Sequence, residues 1–174
     1  MKYWESSEAN PRMNRIHIVG RRNHGKTTLV VDLVKEFCRR GIRVGTIKHS
    51  QHVHELDRPG KDSYRHRAAG SQPAAIITGD SVGIFLSRDG RCDYQRMGPL
   101  FADCQIVLVE GHIDADGVKV EVWRAAVGSR CLAGERADIA AVVSDDRPDV
   151  SVPVWPRSDV VRLADEIWNL AHRG

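Results

Sequence analysis

The stretch from Arg15 to Gly41, RIHIVGRRNHGKTTLVVDLVKEFCRRG, constrains the fold more than any other part of the chain. Two glycines five positions apart, Gly20 and Gly25, are followed at once by Lys26 and Thr27. This is the phosphate-loop pattern, in which backbone N–H groups surround a phosphate, a lysine bridges two phosphates and a hydroxyl binds Mg²⁺. The match lies between an apolar strand pattern and a helical pattern, as that chemistry requires. The sequence therefore predicts a loop that binds phosphate.

Between the two glycines the loop carries bulky and polar residues. Because the inner surface of such a loop is backbone, we expect the side chains from Arg21 to His24 to point outward, while the glycines supply the demanding dihedral angles. Arg21 and Arg22 fit two interpretations, an arginine finger for a triphosphate or a solvated pair. The predicted nucleotide contacts in and after the loop are Arg22, Asn23, His24, Gly25, Lys26, Thr27 and Thr28.

A carboxylate at the end of a neighbouring strand is needed to hold Mg²⁺ or its water shell. Asp103 precedes the apolar run CQIVLV and Glu110 follows it, about 23 Å away if the run is extended. Ligands in parallel α/β sheets bind beyond the carboxyl ends of the strands, so Glu110 is predicted on the ligand side. A solvated glutamate at a strand end is the other interpretation. We expect Thr27 and Glu110 to hold Mg²⁺, and Lys26 and Glu110 to take part in any catalysis.

Strand and helix patterns alternate along the rest of the chain. The β-branched run from Ile42 to His49 completes a strand–helix–strand unit whose strands should be parallel. The run VKVEVW, from Val118, is typical of a half-exposed strand, and a closing helix is expected to begin at Ser158 as its cap. These patterns predict an α/β three-layer sandwich of the phosphate-loop NTPase type, with a mainly parallel, mixed sheet and helices on both faces.

Length and composition limit the possible classes of protein. The 174 residues suit one domain, expected over 14–174, with 1–13 as a flexible extension in which Met13 is an alternative start. A net charge of +3 does not indicate a nucleic-acid partner, and no apolar run approaches the roughly 20 residues of a membrane span. Four cysteines without a pair at two-residue spacing favour a reduced, cytoplasmic protein.

The order and spacing of four segments resemble those of the MobB family of molybdopterin-guanine dinucleotide biosynthesis adapter proteins. The segments are GRRNHGKTTL, then GTIKHS with RPGKDSYRHRAAG, then IVLVEG. The resemblance covers nearly the whole chain from Met13, and it departs at Asn23 and His24, where the family more often has Gly or Ser. It implies a GTP-binding protein with weak hydrolysis, using GTP and Mg²⁺ and usually forming a homodimer. The implied partners are the guanylyltransferase that attaches GMP to molybdopterin, and molybdopterin or its molybdenum form. A small-molecule kinase using ATP and a metallochaperone GTPase are the alternatives built on the same loop.

A second group of cations and histidines follows the second strand. The residues predicted to bind a second anionic ligand, such as a phosphorylated pterin, are Lys48, His49, Lys61 and Asp62. Asp62 and Ser63 are also candidates for a helix cap. Imidazoles suit Zn²⁺ or Ni²⁺, so His49, His52 and His54 suggest a metal site as an alternative, although no cysteine lies near them.

Ser144 and Asp145 end the buried run DIAAVVS. A carboxylate there can accept the N1–H and N2–H groups of guanine, a pair that adenine cannot supply. A polar turn before Pro148 explains the same residues equally well. The two residues are therefore candidates for GTP recognition, with the turn as the alternative.

Overall fold

The structure is a computed structural model, and it describes residues 13–50, 57–87 and 93–173. The described residues form two compact units, a first unit of 13–50 with 97–173 and a second unit of 57–87 with 93–96. Residues 1–12 of the predicted extension, together with His52 and His54, lie outside the described residues. The single domain expected over 14–174 stays a prediction.

Eight strands and four α-helices are described, together with three short 3-10 helices. In chain order they are β1 (Arg15–Val19), α1 (Lys26–Arg39), β2 (Val44–Lys48), α2 (Asp62–Ala68), β3 (Ala74–Ile77), β4 (Val82–Phe85), α3 (Asp93–Met97), the 3-10 helix Gly98–Phe101, β5 (Ile106–Glu110), β6 (Val118–Val122), the 3-10 helices Ala125–Val127 and Leu132–Gly134, β7 (Ile139–Val143), β8 (Val154–Trp155) and α4 (Val160–Ala171). Within the described ranges no helix has the length and apolarity needed to cross a bilayer.

The first unit is built on a six-stranded sheet in the order β2-β5-β1-β6-β7-β8. All five neighbouring pairs are parallel, which confirms the predicted parallel relation of β1 and β2 and the α/β fold class. We expected a mixed sheet, but the antiparallel pair β3–β4 forms a separate two-stranded sheet in the second unit. A tight turn causes this arrangement, because Thr78 N donates to Ser81 O at 2.8 Å and folds β4 directly back on β3.

Both long helices of the first unit pack on the same face of the sheet. Ile16 and Ile18 of β1 share one core with Leu33 of α1 and Leu163 of α4, all 0% exposed. We expected helices on both faces of the sheet, whereas in this unit the two long helices share one face. The opposite face carries a smaller cluster in which Val19 packs with residues near the 3-10 helix Leu132–Gly134.

β6 is buried on both faces, and its predicted half-exposed character is wrong. Lys119 is 4% and Glu121 0% exposed, in an inner strand that pairs with β1 and β7. Each charge has partners: Lys119 Nζ lies 3.0 Å from Asp138 Oδ2, and the Glu121 carboxylate accepts from two backbone N–H groups at 2.8 Å. The alternation of polar and apolar residues in this strand therefore reflects satisfied buried polar groups and not a solvated face.

Two predicted helix caps are also wrong. α4 is capped by Asp159, whose Oδ1 accepts from Arg162 N at 3.0 Å, and not by Ser158. α2 begins after Lys61 without a side-chain cap, and Ser63 Oγ instead donates to Asp57 Oδ1 at 2.8 Å. Polar residues one or two positions apart compete for such roles, and tertiary contacts decide between them.

Candidate functional site

The glycines at the two ends of the loop between β1 and α1 have the dihedral angles that the sequence predicted. Gly20 has a φ of 138°, and a Cβ there would lie 2.5 Å from Val122 O. Gly25 has a φ of 93° and immediately precedes the first residue of α1. Asn23 is left-handed as well, with a φ of 67°, a conformation that asparagine adopts more readily than most residues. The loop therefore has left-handed backbone at Asn23 and at both end glycines, without a glycine between them.

Lys26 reaches back across the loop. Its Nζ donates to Arg21 O at 2.8 Å. Burial lowers the pKa of Lys26 below its usual value, the nearby Glu110 opposes that shift and Lys48 adds to it. The ammonium group therefore lies inside the loop, beside backbone atoms that a bound phosphate would also approach.

Thr27 and Glu110 meet at the carboxyl edge of the sheet. Thr27 Oγ1 donates to Glu110 Oε1 at 2.7 Å, and Lys48 Nζ lies 3.4 Å from the same oxygen. Asp103 lies before the opposite end of β5, where its backbone oxygen accepts from Arg43 Nε at 2.6 Å. The predicted strand direction is therefore confirmed. A hydroxyl and a carboxylate in contact beside a phosphate loop form a donor set suited to Mg²⁺.

The side chain of His24 does not point outward, and that expectation is wrong. Its ring is 1% exposed, Nδ1 accepts from Arg124 N at 2.9 Å, and Nε2 lies 2.7 Å from Ser129 Oγ. Burial lowers the pKa of His24, with Glu121 opposing this shift and nearby cations adding to it. Both ring nitrogens are therefore engaged by protein groups, and a contact between His24 and a nucleotide stays a prediction.

Arg21 and Arg22 are exposed, and Arg21 has a defined partner. Its guanidinium forms an ion pair with Glu135 at 2.9 Å, with both side chains close to half exposed. Pairs of this kind contribute about 0–1 kcal/mol to stability. The contact favours the solvated interpretation for Arg21, while Arg22 and Thr28 stay predicted contacts.

Ser144 and Asp145 follow β7 at the same edge of the sheet. Asp145 Oδ1 accepts from both the N–H and the hydroxyl of Ser158, at 3.0 and 2.9 Å, and these bonds lower the pKa of Asp145. Ser144 is 3% exposed, and its Oγ accepts from Asp146 N at 3.0 Å. The turn is therefore ordered by its own hydrogen bonds, and recognition of guanine by Asp145 stays a prediction.

The residues of the predicted second anion site belong to different units. In the first unit, His49 N donates to Glu110 O at 2.9 Å, and the His49 ring stacks on His112 with centroids 3.9 Å apart. Lys61 and Asp62 belong to the second unit. No group of three or more metal-ligating side chains suited to an ion occurs in 13–50, 57–87 or 93–173. A ligand role for these residues stays a prediction.

A groove of 480 Å³ opens beside Thr27 and Glu110. It runs between α1 and β2 and is lined by Thr27, Val30, Val31, Val34, Lys35, Thr46, Ile47, Lys48 and Glu110. The sequence does not indicate this groove, because valines at helical spacing are typical of a core. Val31 is in fact 44% exposed.

His17 lies in the middle of β1, on the face opposite to the long helices, and is 0% exposed. Its Nδ1 donates to Gly111 O at 3.3 Å, and its ring meets His112 edge-on at 6.2 Å. Burial lowers the pKa of His17 from 6.5 to about 4, and Arg15 and Lys119 add to that effect. His17 is therefore neutral at pH 7, beside the strand that ends in Glu110.

Comparisons with known proteins agree on one family. The model of the family described as "Molybdopterin guanine dinucleotide synthesis protein B" matches residues 15–145. A molybdopterin-guanine dinucleotide biosynthesis adapter protein of Escherichia coli K12 is 33% identical over 147 residues, which is 81% of this chain and 83% of the relative. One of Haemophilus influenzae is 36% identical over 106 residues, 59% of this chain and 58% of the relative. The crystal structure of a MobB homologue from Bacillus stearothermophilus matches 90% of this chain and 99% of its own, with a TM-score of 0.62 and 25% identity.

The fold is an α/β fold of the phosphate-loop NTPase type. Its features are a parallel sheet, a glycine loop after the central strand β1, and a helix after that loop which packs on β1. The family model and the relatives then identify the family within that fold class. The chain belongs to the MobB family.

The low pKa of His17 predicts that the protein loses stability in mild acid. Because the folded-state pKa lies below the unfolded value, this contribution is complete above about pH 6.5 and is lost as the pH falls toward 4. By pH 4.5 the loss from this residue should reach roughly 2 kcal/mol in the free energy of unfolding. Denaturant titrations at pH 7 and pH 4.5 measure it.

A His17→Asn variant should show a smaller difference in unfolding free energy between the two pH values. His172→Asn is the matched control, because it replaces a histidine at an exposed position at the end of α4, away from β1. An equal pH dependence in wild type and His17→Asn would contradict the prediction.

Proposed function

We propose that this protein binds GTP with Mg²⁺ at the loop from Gly20 to Thr27 and assists the guanylyltransferase that attaches GMP to molybdopterin in molybdenum cofactor biosynthesis. The observation that carries the proposal is the 2.7 Å contact between Thr27 Oγ1 and Glu110 Oε1, beside the Lys26 ammonium group. The names of the curated relatives support the pathway. Any hydrolysis of GTP is proposed to be weak and accessory to this role.

Lys26, the loop backbone and Thr27 would hold the triphosphate. Mg²⁺, bound by Thr27 and by Glu110 directly or through water, would neutralise the charge that gathers on the phosphates. Lys48 is a candidate contact for an anionic ligand beside this site. Its Nζ lies 3.4 Å from Glu110, and 67% of its side chain is exposed, so that a ligand can reach it. We include Lys48 and His49 in the proposal as contacts for an anionic second ligand such as molybdopterin.

The preference for guanine is proposed to come from the turn Ser144–Asp145. The two bonds that Ser158 donates to Asp145 support an ionised carboxylate, which is the form that accepts two guanine N–H groups. Cys38, Cys104 and Cys131 are free thiols, which agrees with a reducing compartment, and a cytoplasmic location is part of the proposal.

A second copy of the chain is the proposed partner of the β3–β4 hairpin. Apolar side chains on this hairpin are exposed, with Ile77 at 79% and Val82 at 62%. An isolated pair of strands is marginally stable in water, and exposed apolar strand pairs are typical of association surfaces. These features support a homodimer formed through the hairpin.

Replacing Lys26 tests the phosphate site. Lys26→Ala should lower the affinity for Mg·GTP by roughly 10- to 150-fold, because the charged hydrogen bonds to phosphate are lost. Calorimetric titration with Mg·GTP and Mg·ATP measures the change, and the ATP arm separates the proposed adapter from an ATP-dependent kinase. Arg39→Ala, which removes an exposed cation from the last turn of the same helix, should bind as wild type does. Unchanged GTP affinity in a folded Lys26→Ala protein would refute the proposal.

Replacing Glu110 tests the metal site. Glu110→Gln keeps an oxygen that can accept from Thr27 but removes the negative charge, so GTP should require roughly tenfold more Mg²⁺. The measurement is GTP affinity as a function of Mg²⁺ concentration. Asp103→Asn, beyond the other end of β5, should change nothing. Greater sensitivity at Asp103 than at Glu110 would overturn the assigned metal ligand.

Charge placed on the hairpin tests the homodimer. The double variant Ile77→Lys with Val82→Lys should sediment as a monomer, whereas the wild type should sediment as a dimer at micromolar concentration. Val161→Lys, at a 54% exposed position on α4, is the matched control and should stay dimeric. A wild-type protein that sediments as a monomer at every accessible concentration would rule out this partner.

A further inference from the structure

His24 makes two contacts that a residue of a phosphate-binding loop does not need for binding phosphate. Its ring is 1% exposed, Arg124 N lies 2.9 Å from Nδ1, and Ser129 Oγ lies 2.7 Å from Nε2. Because a backbone N–H can only donate, Nδ1 is the unprotonated nitrogen, and Nε2 carries the proton that it donates to Ser129. The neutral ring therefore joins the loop after β1 to both sides of the 3-10 helix Ala125–Val127, in the first half of the loop after β6.

The hydrogen bonds continue from the loop after β6 to the turn after β7. Ala125 N donates to Asp146 Oδ2 at 2.8 Å, and Asp146 N donates to Ser144 Oγ at 3.0 Å. Trp123 also joins the two strand ends, because its backbone N donates to Val143 O at 3.1 Å. We call this connected set the edge network, and it consists of His24, Arg124, Ser129, Ala125, Asp146 and Ser144.

The order of the sheet explains why the edge network can exist. β1, β6 and β7 are consecutive and parallel, so the loops that follow them leave the same edge side by side. A second contact orders the middle loop independently, since Trp123 Nε1 donates to Ser129 O at 2.9 Å. The Ser129 hydroxyl is thereby held where the His24 ring can reach it.

We propose that His24 is a positioning residue that sets the turn Ser144–Asp146 relative to the phosphate loop and so contributes to the choice of base. This inference rests on the proposed binding of GTP, in which the loop holds the phosphates and the turn contacts the base. A nucleotide spans the two ends of the edge network, so a shift between those ends weakens contacts to the base more than contacts to phosphate.

The test compares three probes on the full-length protein: Mg·GTP, Mg·ATP and inorganic tripolyphosphate. In His24→Ala, the ratio of the ATP to the GTP dissociation constant should fall by roughly 3- to 10-fold, as expected for one misplaced polar contact. Affinity for tripolyphosphate should change by less than about twofold, because the loop backbone that binds it is retained. His24→Asn should recover part of the ratio, since its amide oxygen can accept from Arg124 N in place of Nδ1.

Ser129→Ala provides a milder variant that keeps His24 in the loop. It should lower the ratio in the same direction, and Ser151→Ala, an exposed serine before β8, should leave the ratio unchanged. If His24→Ala does not fold, Ser129→Ala carries the test, and an unchanged ratio there overturns the inference.

The outcomes separate this inference from the proposed function. A wild-type protein that binds no GTP, or binds GTP and ATP equally, refutes the proposed nucleotide preference, and the role of His24 falls with it. A wild type that prefers GTP, together with a His24→Ala protein that loses affinity for all three probes by one common factor, overturns only the inference. That pattern would make His24 a structural support of the loop.

Discussion

The packing of α1 against the central strands is the contact on which the rest of the structure depends. Leu29, Leu33 and Phe37 of α1 are completely buried in the core that β1 and β5 also form, and burial of such side chains contributes about 1.5–3 kcal/mol each. Because α1 begins at Lys26, directly after the glycine loop, this core also fixes the helix N-terminus at the carboxyl edge of the sheet. Thr27 then faces the residue that ends β5, and the candidate metal ligands meet without a dedicated loop.

Buried polar groups organise the loops at that edge. Glu121 at 0% exposure accepts backbone hydrogen bonds from the start of the 3-10 helix Leu132–Gly134, while His24 holds the loop that precedes it. Leaving one such buried donor or acceptor unsatisfied costs about 1–3 kcal/mol, so each residue strongly favours a single loop conformation. The loops that follow three parallel strands are therefore joined by hydrogen bonds, and in our proposal these bonds hold the phosphate and base contacts at a fixed separation.

Much of the fold and part of the site could be predicted from local pattern. The glycine loop, the helix after it and the apolar strands have periodicities that tertiary contacts do not override, and Glu110 follows from strand direction alone. β6 was misjudged because alternation of polar and apolar residues normally marks a solvated face, whereas Lys119 and Glu121 are paired inside the sheet. The inward ring of His24 could not be predicted, because its partners lie about a hundred positions further along the chain.

The sequence by itself determined that a glycine loop joins a strand to a helix, and which acid ends a neighbouring strand. Those features depend on glycine conformation, hydrophobic period and strand polarity, all of which are properties of short segments. Only the tertiary structure decided the order of the strands, the single face that both long helices share, and the connection from His24 to the turn at Asp146. These properties depend on which strands and loops become neighbours when the parallel sheet forms, and they cannot be derived from any short segment of the sequence.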